Sequence, residues 1–101
     1  MGDSEVIDQL VKEDLKLGQE SEGSRDDPNK MLIVLSKRLQ LYNNAASQLT
    51  DPNNIIKLSN MKESVFHQMG IWQLKKSTEE QFAQIISRLD KLEKKIDQHH
   101  H

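Results

Sequence analysis

Two Asp-Pro steps, Asp27-Pro28 and Asp51-Pro52, hold the only prolines of this 101-residue chain and constrain its fold more than any other feature. Proline at the first helical position gives up an N–H that has no helical partner there, and the preceding aspartate accepts from the free first-turn amides. Each step predicts a helix start. Four glycines and two prolines are too few for a many-stranded sandwich, and the apolar residues recur at spacings of three and four. The fold expected is all-α: a compact bundle of four to five helices with a flexible acidic linker after the first helix.

Along the chain, residues 4–17 read as a first helix capped by Ser4. Its apolar stripe is Val6, Ile7, Leu10, Val11 and Leu17, interrupted by Asp14, and Gly18 offers a stop. Residues 18–27 contain no large apolar residue and read as a solvated linker. From Pro28, Leu32, Leu35, Leu39, Tyr42, Ala46 and Leu49 alternate by three and four, widened by Met31, Ile33, Val34 and Leu41. After Pro52, Ile55, Ile56 and Leu58 start another apolar face, which Ser59-Asn60 is expected to end. A short helix over 64–76 then carries Val65, Phe66, Met69, Trp72 and Leu74; the alternative is one helix from Asn53 to Met69, stopped at Gly70. Ser77-Thr78-Glu79-Glu80-Gln81 reads as a capping box. It opens a last helix with Phe82, Ile85, Leu89, Leu92 and Ile96 at strict 3–4 spacing, widened by Ile86. The division expected is an N-terminal helix and linker over 1–27 and a helical bundle over 28–98. His99, His100 and His101 read as purification-tag residues, and Met1-Gly2-Asp3-Ser4 resembles a recombinant start.

Composition narrows the function classes. With no cysteine there is no disulfide framework, thiolate metal site or thiol nucleophile. No apolar run approaches the roughly 18–20 residues that cross a bilayer, so no membrane role and a cytoplasmic location are expected. Residues 1–27 carry nine acids against three bases, and residues 28–101 carry seven against eleven. A body of +4 spread over several helices is ordinary solvated surface, and direct nucleic-acid binding is expected to be weak or absent.

No reaction centre is expected. His67 with Glu63 is the one candidate proton-transfer pair, but acid–base work needs a positioned pocket and an oriented third group. No glycine-rich phosphate loop occurs, and neither metal nor cofactor is expected. Trp72 beside Lys75 and Lys76 could stack on a base, but packing between helices is the simpler role. Residues 53–76 could also form a helix-turn-helix, yet the reading end, Ser64-Val65-Phe66-His67-Gln68, is mostly apolar. A DNA-binding regulator and an oligomerisation module of an unrelated complex are the two alternatives. The residues expected to form core or interface are Leu32, Leu35, Leu39, Tyr42, Leu49, Ile55, Trp72, Phe82, Ile85, Leu89, Leu92 and Ile96.

One resemblance spans residues 20–98. Glu22-Gly23-Ser24, then Asp27-Pro28 and the run from Met31 to Tyr42, resembles the C-terminal collar domain of the bacterial DNA polymerase III delta subunit. Ile55-Ile56-Lys57-Leu58 matches that family's short helix, and Val65 to Lys76 matches the next. Thr78-Glu79-Glu80-Gln81-Phe82 and the stretch from Leu89 to Ile96 match its final helix. Two departures are the single helix before the proline and the interrupting Gly70. The resemblance implies a non-catalytic piece of the sliding-clamp loader in DNA replication. Its partners would be delta-prime and gamma/tau subunits, and weak self-association would follow once it is outside that ring.

Overall fold

The computed structural model describes residues 2–99, which are helical except at the chain start and in two turns: α1 Asp3–Glu22, α2 Pro28–Ala46 and α3 Pro52–His99. The tag assignment at 99–101 lies outside the described residues, apart from the backbone of His99. All-helical architecture is as expected; the number of helices and the compactness are not. Three helices replace four to five, and the molecule is a rod with extents of 78 × 22 × 14 Å.

Both proline starts are in place. Asp27 accepts from the amides of Asn29 (2.9 Å) and Lys30 (3.4 Å), and Asp51 accepts from that of Asn53 (2.9 Å). The other punctuation yields to the helix. Ser4 is no cap: Gly2 holds that position, with no side-chain bond to the first-turn amides. Gly18 does not stop α1, and residues 18–22 are helix rather than linker. The Ser21 and Ser24 hydroxyls donate back to the carbonyls of Gly18 and Glu20, each at 2.8 Å, and a tight turn over 23–27 leads into α2.

The larger departure is α3, 48 residues without a break. Neither Ser59-Asn60 nor Gly70 ends it, and Ser77-Thr78 does not restart it. Serine, asparagine and glycine permit a helix end but do not force one, whereas an internal proline would remove a hydrogen bond and clash with the previous turn. No proline follows Pro52, and no described residue has a positive φ. The Thr78 hydroxyl donates to the Leu74 carbonyl at 2.8 Å, satisfied within the helix instead of capping a new one.

α2 lies between its neighbours, antiparallel to each, and carries the deepest residues: Leu35 (0% exposed) and Tyr42 (1%). Val6 and Leu10 of α1 and Leu58 and Val65 of α3 complete one core. α1 therefore shares the core of the helices that follow it, and the boundary expected at 27/28 is a turn between packed helices. Leu49 is also buried, though it lies past the end of α2 in the second turn.

Candidate interaction surface

α3 presents two apolar faces that point in nearly opposite directions. At about 100° per residue, Leu58, Val65, Met69 and Trp72 fall within about 60° of one another. This is the face that packs on α2. Phe82, Ile85, Leu89, Leu92 and Ile96 form a second stripe, about 200° round the helix from the first. The same stripe continues back through Leu74 and Ile71, alongside the braced part of α3.

The second stripe is uncovered. Phe82, Ile85, Leu89, Leu92 and Ile96 are 51–63% exposed, and every residue from 77 to 98 is exposed. These five were expected as core or interface; their exposure removes them from the core of this chain and leaves them as interface candidates. Their partner rod is absent because the long helix carries them past the end of the α1–α2 hairpin. Lys76 lies beside Asn29, Leu32 and Ile33 at the start of α2, and beyond that point α3 projects alone. The seven other predicted positions separate cleanly. Leu35, Tyr42 and Leu49 are buried, Leu32, Leu39 and Trp72 are half-buried, and Ile55 is 39% exposed at the start of α3.

The flanks of the stripe carry opposite charges. Arg88 and Lys95 lie along one side and Glu79 and Glu93 along the other, with Ile86 widening the apolar band on the acidic side. Lys75 sits over the Trp72 ring, 4.7 Å from its centroid, so a cation already covers the face that was considered for base stacking. His67 and Glu63 are both exposed.

Two polar clusters tie the helices together, the first joining α1 to α2 and the second joining α1 to the start of α3. Asp14 interrupts the α1 stripe because it has a partner: Arg38 Nε lies 2.9 Å from its carboxylate, and the Tyr42 hydroxyl donates to it at 2.7 Å. Arg38 also donates to the Tyr42 hydroxyl (3.0 Å), closing a half-buried triangle. Burial first, and then the bond to Asp14, push the Tyr42 phenol up to about 12. The second cluster is Asp3, which accepts from the amides of Thr50 (2.9 Å) and Asp51 (2.8 Å) and from the Asn54 side chain (3.1 Å). Those bonds, the two amides foremost, hold its carboxyl down to about 2. Sequence reasoning missed Asp3. Its only local signal is an acid at a helix start, and its partners lie 47 to 51 residues away.

No helix of the described residues is long and apolar enough to cross a membrane. No family model, curated protein or solved structure matches the chain.

Proposed function

We propose that the chain is a non-catalytic protein-interaction module, in which a helical hairpin braces one end of a long helix whose far half offers an apolar stripe. The observation that carries this reading is the exposure of Phe82, Ile85, Leu89, Leu92 and Ile96 on one line. Scattered exposed leucines need no explanation, but a contiguous apolar band flanked by charge marks a protein contact. A helix-turn-helix reader is not favoured, because residues 53–76 lie within one uninterrupted helix and have no turn.

The test is a photo-crosslinking residue at position 89 of the full chain in living cells, with a second at Asn44, outside the stripe, as control. Protein adducts at 89 and none at 44 are the expected result. No adducts at 89 would end this reading. Leu89→Asp should abolish the contact yet leave the helical circular dichroism unchanged, since the new charge stays in water.

The more specific form of the reading is a collar piece of the DNA polymerase III delta subunit, acting in the clamp loader of DNA replication in the cytoplasm. Its support is the residue likeness over 20–98 together with the exposed stripe on the last helix, which partner subunits would cover. Mixing the chain with delta-prime and gamma/tau subunits tests it: co-elution that Leu89→Asp removes is expected. Failure to co-elute would discard the replication role and leave the module reading standing.

A further inference from the structure

We infer that the occupant of the stripe is a second copy of this chain, with the two α3 helices running parallel as a two-stranded coiled coil over residues 71–96. The inference rests on the interaction-module reading above and names its partner. Three observations carry it.

The first is placement. The stripe lies about 200° round α3 from the face that meets α2, so a second α3 can lie along it with both hairpins on the outside. No part of either hairpin has to move.

The second is extent. Counting back from Ile96 to Ile71 gives a seam about 38 Å long, close to four heptads, against the three to four that a coiled coil normally needs. The portion after Thr78 alone falls short of that, and helix continuity supplies the remainder. Ile71, Leu74, Ile86 and the five stripe residues are each at least 51% exposed. A specific interface needs about 1,000 Å² in total, so sixteen such side chains from two copies need bury only about 60 Å² each. Lys75 and Thr78 also fall on the seam, and polar residues there fix register at some cost in stability.

The third is charge. With Phe82, Leu89 and Ile96 at a positions and Ile85 and Leu92 at d, Arg88 falls at g and Glu93 at the following e. Parallel pairing sets Arg88 of each copy against Glu93 of the other, giving two attractive pairs by symmetry. Antiparallel pairing centred on the same seam, between residues 83 and 84, sets Glu93 opposite Leu74 and leaves Arg88 without Glu93 as its partner, so neither attractive pair forms. The flanking charges therefore choose the orientation.

The experiment uses the full chain in sedimentation equilibrium up to millimolar protein. Twice the 11.7 kDa chain mass is expected, falling to a single chain in Leu89→Asp with helicity retained. A single-chain mass throughout, or a trimer or larger, would overturn the inference. Orientation is read separately, because the chain has no cysteine and Ile96→Cys is a unique reporter. Parallel pairing brings the two thiols within disulfide reach and gives a covalent dimer under mild oxidation. Antiparallel pairing holds them about 38 Å apart, and failure to cross-link in a sample that sediments as a dimer would sink the parallel form. Arg88→Glu should weaken the dimer about tenfold, with recovery in Arg88→Glu/Glu93→Arg. A chain that stays monomeric while position 89 cross-links to other proteins would refute self-pairing and keep the module. No adducts of any kind would remove both.

Discussion

The two halves of α3 are one helix with one chemistry, yet they have opposite relations to water. Over 52–76 it has an inner face where Leu58 and Val65 are 2% exposed, held by α2. Over 77–98 it has apolar residues just as large and as regularly spaced, and every one is exposed. Periodicity is thus equal in the two halves, and only the presence of a neighbouring rod differs. An amphipathic stripe specifies that something will cover it, but not that the cover comes from the same chain.

Large-to-small substitution breaks this comparison most directly. Leu35→Ala removes a side chain with no exposure and should cost about 2–5 kcal/mol in urea unfolding. Leu92→Ala, the same chemical change on the projecting half, should alter the single-chain fold by no more than about 0.5 kcal/mol, measured at a concentration where the protein is monomeric. Comparable losses in the two variants would show that the projecting stripe is buried against its own chain.

The polar triangle gives the next effect. Asp14→Ala leaves Arg38 and the Tyr42 hydroxyl without their shared acceptor in a half-buried site, at a cost of about 1–3 kcal/mol. A double-mutant cycle with Tyr42→Phe should return clear coupling, because the two groups touch. The pH dependence carries a definite sign. The folded Tyr42 phenol is raised to about 12, so its contribution is whole below its unfolded value near pH 10 and is lost as pH rises through about 12. Tyr42→Phe should lack that alkaline loss.

These contrasts also separate what was legible in the sequence from what was not. The two proline starts were legible because Asp-Pro is a local device whose partners sit two or three residues away. The inner residues Leu35 and Tyr42 were legible because α2 is apolar enough to lie in the middle. The breaks expected at Gly18, Ser59-Asn60 and Ser77-Thr78 were not, since each is only a permission to stop. That error spread. A chain divided into short helices is free to rotate every stripe toward a common core, so core and interface could not be told apart for Ile85 and Leu92. In a continuous α3 the phase is fixed, and the offset of about 200° between Leu58-Val65-Met69-Trp72 and the later stripe rules out a shared core. Asp14 was legible as an interruption but not as a partner of Arg38, 24 residues away.

Helix continuity can itself be sharpened at Gly70, near where the braced part gives way to the projecting part. A Cβ added there meets nothing within 4 Å, and the residue does not have a positive φ. Gly70→Ala should therefore stabilise the protein by about 0.5–1 kcal/mol, by restricting the unfolded chain and strengthening the helix. A destabilised variant in thermal unfolding would place a left-handed break at residue 70 and divide α3 in two.

The smallest effect expected is at the opposite end of the braced half, where Asp3 ties the start of α1 to the start of α3. Its folded carboxyl is held down to about 2, chiefly by the amides of Asp51 and Thr50, while the unfolded value lies near 4. A depressed folded value stabilises the fold above pH 4, and that contribution is lost as pH falls through about 2. Asp3→Asn keeps an oxygen acceptor and loses the charge. Its melting temperature should sit slightly below wild type at neutral pH and converge with it near pH 2. The other carboxylates titrate in both proteins, so the difference between the two curves isolates Asp3. A difference that persists unchanged at pH 2 would mean the amide bonds act through geometry alone. Convergence would mean that charge at this one joint helps decide which half of α3 is braced.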